Sequence, residues 1–220
     1  MEFASLPHPW RVCAEEAWHA FLHKTVPIGA CLLTPEGEVL SRGRNHIYDD
    51  GDDDTNPPPI ALHKLAHAEV NCLFAVKDMS ISFYNSTLYT TVEPCPLCMG
   101  AIYMMGVRNL QYAVADPYAG STNLLSTTDY MKVKPVIVVA MPGQAHVTLM
   151  AALNFYFFFF EAERRGDQWF AQNDVTRLWQ ASYPAAHALA AKVWQQYPAY
   201  QAPFMKMDVK EGLAFWKEHL

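Results

Sequence analysis

Two short stretches of this 220-residue chain carry side chains that could do chemistry: His67-Ala68-Glu69 and Pro94-Cys95-Pro96-Leu97-Cys98. Imidazole nitrogen and thiolate sulfur are good zinc ligands, and His67, Cys95 and Cys98 make three of them. A catalytic zinc keeps its fourth position open, so three protein ligands is the number it needs; a structural zinc closes with four. Cys95 and Cys98 stand three residues apart, which at the start of a helix turns both sulfurs to one side. A helix N-terminus also favours the thiolate, the ligating form. Pro94 and Pro96 stiffen the entry where helical N–H groups have no partner in any case. Glu69 lies two residues from His67 and so off that residue's helical face. It is a poor fourth ligand, but it is well placed to reach a water on the metal. Zinc draws the pKa of such a water toward neutrality, and a neighbouring carboxylate can take the proton and return it to a substrate nitrogen and a leaving group.

The plainer reading of the same residues is a buried histidine with two structural cysteines, or a structural zinc closed by His63 or Cys72. Glu69 decides against it, since a structural site has no use for that carboxylate. His63, one helical turn before His67, reads as a loop or supporting residue. Cys13, Cys31 and Cys72 read as small apolar fillers. Five cysteines without a paired framework point to a reducing compartment, here the cytoplasm. The first ten residues show neither a basic nor an apolar leader pattern, so no signal peptide is expected.

These residues need elements to hold them. The pattern predicts a helix over 13–24, and then a hairpin of strands 29–34 and 39–44 about Pro35-Glu36-Gly37. A polar loop with Asp49, Asp50, Asp52, Asp53 and Asp54 follows; its spacing does not fit a calcium loop, and solvation is its default. Ala66, Val70, Leu73 and Phe74 fall on one helical face. A strand over 87–92, a helix over 96–105 and a strand over 110–115 come next. Residues 135–140 are apolar throughout, as in a strand covered on both faces. The expected fold is an α/β three-layer sandwich with a mixed sheet. It occupies residues 1–140, with 141–220 as an aromatic-rich helical extension packed on it.

The extension holds 16 of the 29 aromatic residues, and 178–195 and 209–219 read as helices within it. At consecutive positions the rings of Phe157, Phe158, Phe159 and Phe160 point all round a helix, which suits a core or a homodimer interface better than a base-stacking platform. The apolar block 147–160 is short for a membrane span and normal for a buried helix, so no membrane role is expected. Arg164-Arg165 reads as a solvated helix end. Charged side chains in the extension cancel, which leaves the net charge of −6 in the first 140 residues. That balance argues against a large nucleic-acid footprint.

Together Val26-Pro27-Ile28-Gly29-Ala30, Asn45, His67-Ala68-Glu69-Val70-Asn71 and the run from Leu88 through Pro94-Cys95-Pro96-Leu97-Cys98 to Tyr103 resemble the cytidine and deoxycytidylate deaminase superfamily. Within it they resemble the branch of guanine, cytosine and tRNA adenosine deaminases. The resemblance covers about residues 11–140. It implies a central five-stranded sheet, zinc (Zn2+) on His67, Cys95 and Cys98, and Glu69 as proton shuttle. It also implies that Asn45 bonds the base, that the backbone at Gly29 and Ala30 lies along the substrate, and that the protein is a homodimer. The stretch between Asn45 and His67 is longer than in these relatives, and the segment after 140 lacks the basic terminal helix of a tRNA reader. The expected activity is therefore hydrolytic deamination of a free base, nucleoside or related small amino-heterocycle. A tRNA adenosine deaminase is the alternative, and a non-catalytic zinc-stabilised scaffold is the third reading. The acidic loop joins Asn45 to His67; placed at the pocket mouth, it would disfavour phosphate groups.

Overall fold

The structure is a computed structural model that describes residues 3–49, 57–141, 143–166, 168, 172–201 and 203–220. Its centre is a five-stranded mixed sheet in the order β2-β1-β3-β4-β5. The strands are β1 (Gly29–Leu33), β2 (Val39–Arg44), β3 (Thr87–Val92), β4 (Asn109–Val114) and β5 (Ile137–Ala140). β1 runs antiparallel to β2 and β3, and β3, β4 and β5 run parallel. Parallel neighbours need crossovers. α3 (Pro96–Met105) provides the one between β3 and β4; a 3-10 turn and α4 (Asp129–Val133) lie on the way from β4 to β5.

Successive side chains of a strand face opposite ways, and β1 shows why both faces must be covered. Cys31 and Leu33 enter an apolar cluster with α1 (His8–Leu22), whereas Ala30 and Leu32 enter a second one with α2 (Ala68–Phe74) and α3. α1 begins before the expected start, with Pro9 in its first turn, and buries Trp10, Cys13, Ala14, Ala17, Trp18 and Phe21 as one stripe. Two glycines let the helices come close. A Cβ on Gly29 would lie 2.2 Å from the Cys13 carbonyl oxygen of α1, and one on Gly43 would lie 2.4 Å from the Cys72 nitrogen of α2.

Beyond the sheet come α5 (Gln144–Arg165), α6 (Asp174–Ser182), α7 (Pro184–Gln196) and α8 (Val209–Glu218). α5 is long and apolar enough to cross a membrane, and about two-thirds of that stretch is buried inside the fold. It shares one core with α1. Tyr156 meets Phe21 with ring centroids 5.3 Å apart, Phe204 meets Phe21 at 5.4 Å, and Trp216 meets Tyr156 at 5.7 Å.

Three expectations need correction. β5 is an edge strand: Val136 and Val138 pack inward, but Ile137 and Val139 are 64% and 44% exposed. An apolar run carries no mark of whether its strand lies central or at the rim. The helix expected over 178–195 breaks at Tyr183, because Pro184 has no N–H to donate and pushes the preceding residue out of helical geometry (Tyr183 φ −130°, ψ 58°). Finally, α2 starts at Ala68, so Ala66 precedes it, and Phe74 at its end is exposed rather than on the buried face.

Candidate metal centre

The chain leaves the carboxyl end of β3 through Glu93-Pro94 and enters α3 at Cys95, whose extended backbone (φ −72°, ψ 175°) forms the N-cap. Beside it α2 opens in the same way, with His67 as an extended N-cap (φ −75°, ψ 153°). Each cap ends an extended entry, so its side chain leaves the helix axis, and one turn into α3 Cys98 joins from below. The Cys95 Sγ lies 3.6 Å from His67 Nδ1 and 3.7 Å from Cys98 Sγ, and Cys98 Sγ lies 3.5 Å from the same nitrogen. A tetrahedron with Zn–S of about 2.3 Å and Zn–N of about 2.0 Å has edges of about 3.8 Å between sulfurs and about 3.5 Å between sulfur and nitrogen. The three distances fit one face of that tetrahedron, and among the described residues these three could hold zinc.

Glu69, in the first turn of α2, is 3% exposed, and its Oε2 accepts from the Cys98 thiol at 3.3 Å. Burial pushes its carboxyl above the ordinary range, against the pull of His67. The Cys95 thiol is drawn down to about 4 by the hydrogen bond from Cys98, with His67 adding to it. Cys98 is pushed up by that Cys95 bond and by burial. Hydrogen bonding to Cys95 raises His67, and a backbone hydrogen bond at Lys64 further orients the ring. Such an outer bond fixes which nitrogen faces a metal.

One supporting residue had no role in the sequence reading. The Glu93 carboxylate accepts from the Asp116 and Thr122 backbone N–H groups, each at 3.3 Å, and from the Thr122 hydroxyl at 2.6 Å. The Ser121 N–H donates to the Pro94 carbonyl at 3.0 Å. The loop after β4 is thereby tied to the residues just before Cys95. The only signal in the sequence was the position of Glu93 next to the cysteine motif.

The other expected residues fall as follows. Asn45 is buried at the end of β2, where its Oδ1 accepts from the Thr25 hydroxyl at 2.8 Å and the Ile47 N–H at 3.0 Å. Its neighbour His46 donates its N–H to the Ala66 carbonyl, next to His67. Gly29 faces α1, and its N–H donates to Thr91 Oγ1 at 3.2 Å; Ala30 faces the α2 side. Close packing against α1 therefore accounts for the glycine by itself. His63 is exposed and accepts the Leu65 N–H, and Cys72 is buried against Ser41; neither belongs to the metal group. Asp49 is not a solvated loop carboxylate: it is buried and ion-paired with Arg44, with His46 Nδ1 at 3.2 Å. The pairing offsets its charge, and so removes it from the potential expected at the pocket mouth. Asp50, Asp52, Asp53 and Asp54 lie outside the described residues.

The family model of the cytidine and deoxycytidylate deaminase zinc-binding region matches residues 8–114. Among curated proteins the chain is 34% identical over 107 residues to a tRNA(Ile)-lysidine synthase of Deinococcus radiodurans, covering 48% of this chain and 16% of that protein. It is 26% identical over 143 residues to a cytosine deaminase of Candida albicans, covering 64% and 83%. It is 31% identical over 102 residues to a tRNA-specific adenosine deaminase of Bacillus subtilis, covering 46% and 56%. The match thus spans about a sixth of the synthase and just over half of the adenosine deaminase.

Proposed function

We propose that this chain, whose residues 8–114 belong to the cytidine deaminase superfamily, is a hydrolytic deaminase. Its substrate is a free nucleobase, a nucleoside or a related small amino-heterocycle, and it releases ammonia. The observation that carries this reading is the buried Glu69 carboxylate set 3.3 Å from Cys98 Sγ, beside the grouped His67, Cys95 and Cys98, which would give a zinc three protein ligands and leave a fourth place. Bound zinc would supply Lewis acidity at that fourth place. Glu69, desolvated and with its carboxyl pushed above the ordinary range by burial, can hold a proton between attacking water, ring nitrogen and departing amine. Among the described residues Asn45 is held by Thr25 and Ile47 through its oxygen, and its NH2 is the group that would donate to an acceptor on the heterocycle.

The test is an ammonia-release screen of zinc-loaded protein on guanine, cytosine, adenine, their nucleosides and pterin. Turnover of at least one supports the reading; none of these and none of tRNA, with stoichiometric zinc, leaves the scaffold. The Bacillus relative supports a second reading, deamination of adenosine in tRNA. The net charge of −6 weighs against it, since an RNA reader needs a basic face beside its pocket. Deamination of tRNA with none of the small substrates would favour it. A cytoplasmic homodimer belongs to the same proposal. Reducing conditions keep Cys95 and Cys98 free to ligate, and Met104, Tyr130, Val133 and Ile137 offer exposed apolar surface for a second copy, which light scattering at micromolar concentration reads.

A further inference from the structure

We infer that the described helices after residue 141 set the substrate preference of this site, by holding two loop segments, 46–49 and 115–121, that are attached to the metal triad. The inference rests on the deaminase reading above. Each loop is bonded to the residue just before a ligand. His46 N–H donates to the Ala66 carbonyl at 2.9 Å, next to His67, and Ser121 N–H to the Pro94 carbonyl at 3.0 Å, next to Cys95.

Each loop is also gripped from the other side by helices outside the family region. In the first loop the Tyr48 ring stacks on Phe157 of α5, with centroids 6.1 Å apart and planes 28° apart. The Arg164 guanidinium lies 5.7 Å from the centre of that ring, and Arg165 Nη2 donates to its hydroxyl at 3.4 Å. Both arginines are anchored on the buried Glu161 carboxylate, at 2.6 to 2.9 Å. They stay exposed, as a helix end is expected to be, but each is paired with Glu161 rather than left to water alone. In the second loop Trp179 Nε1 donates to Asp116 Oδ1 at 2.9 Å, and the Tyr183 hydroxyl donates to the Ala115 carbonyl at 2.7 Å. The same Asp116 oxygen takes the N–H groups of Tyr118 and Ala119, so Trp179 holds the centre of that turn.

Each loop carries a half-open aromatic ring, Tyr48 on one and Tyr118 on the other. A flat heterocycle gains by stacking on such rings. The sheet side holds each loop at its base, through Glu93 and Pro94 for the second and Thr25 and Ala66 for the first; α5 and α6, with Tyr183 at the join to α7, hold the outer part. Phe157, Arg164, Arg165, Trp179 and Tyr183 are thus positioning residues. They choose among heterocycles of different size without touching the reacting atoms.

The experiment uses the full chain with Trp179→Phe/Tyr183→Phe, which removes two hydrogen bonds and keeps both rings. Zinc stoichiometry is expected to stay at one, and kcat to stay within about twofold. KM for the best substrate of the ammonia-release panel should rise about tenfold. The kcat/KM ratio between that base and its nucleoside should shift several-fold, and amide hydrogen exchange should quicken over 115–121 but not over β3. Trp194→Phe, in the same extension but against Tyr156 and Phe159, is the control and should move none of these. Unchanged KM and unchanged base-to-nucleoside ratio in an active enzyme would overturn the inference and leave the deaminase reading standing. So would a matching shift in the control. A wild-type protein that releases no ammonia from any substrate overturns the deaminase reading, and the substrate statement with it. In that case the exchange rates still decide whether Trp179 and Tyr183 hold the loop.

Discussion

Glu69 and Cys98 share a hydrogen bond, yet the roles proposed for them separate cleanly in their variants. Cys98→Ala removes a ligand, and with two left the site should lose zinc and turnover together, as elemental analysis reads. Glu69→Gln keeps the shape and the three ligands but cannot carry a proton. Zinc should stay at one per chain, while turnover falls by about 10²–10⁴, the range for a general acid–base group. Near-normal turnover in that variant would remove Glu69 from the mechanism. Their coming together was legible in the sequence because each belongs to a short motif, His67-Ala68-Glu69 or Cys95-Pro96-Leu97-Cys98, whose spacing is set at a helix start. Glu93 and Asp116 were not legible, because their partners stand 23 to 63 residues away.

At the scale of elements, the metal centre depends on how closely α2 lies on β2. The closest approach is at Gly43, where a Cβ would stand 2.4 Å from the Cys72 nitrogen and 2.7 Å from the Ala68 carbonyl oxygen. These are backbone atoms, so Gly43→Ala must push α2, which His67 caps and which carries Glu69. We expect a loss of about 1–3 kcal/mol in a urea titration, together with weaker zinc binding in competition with a chelator. An unchanged zinc affinity would mean that α2 is not pinned at this point. A second element-scale case is α5. Its Tyr156 hydroxyl donates to the Tyr197 carbonyl at 2.5 Å and accepts the Tyr200 N–H at 3.1 Å, and burial pushes its pKa up to about 12. In the unfolded chain a tyrosine ionises near pH ~10. The group's contribution is therefore complete below that pH and is lost as pH rises toward about 12. Tyr156→Phe should lower stability at pH 8 and flatten part of the decline between pH 8 and 11. An equally steep decline in the variant would assign it to other groups.

For the whole molecule, the question is whether residues 1–140 form a unit. α1 covers the sheet with one face and presents Trp18 and Phe21 to the extension, where Phe204, Tyr156, Tyr200 and Trp216 surround them. Uncovering a buried aromatic costs roughly 1.5–3 kcal/mol each, against about 5–15 kcal/mol for a whole domain. Losing this cluster, together with the Trp18 bond to the Met207 carbonyl, should leave 1–140 without a fixed fold. Dispersed amide resonances from 1–140 alone would contradict this and give the extension an accessory place.

Local chemistry was readable without coordinates. The grouping of His67, Cys95 and Cys98 with Glu69 beside it, strand 87–92 and helix 96–105 all rest on period, capping and spacing within about 30 residues, and the chain carries that information in order. Order in the sheet was not readable. An apolar run such as 136–139 looks the same at a sheet's centre and at its rim, because burial depends on which strands close beside it. Nor could composition tell a solvated Asp49 from one buried against Arg44, or an unpaired Arg165 from one held at the surface by Glu161. Charge is a property of the residue, but desolvation and pairing belong to whatever the fold brings up to it.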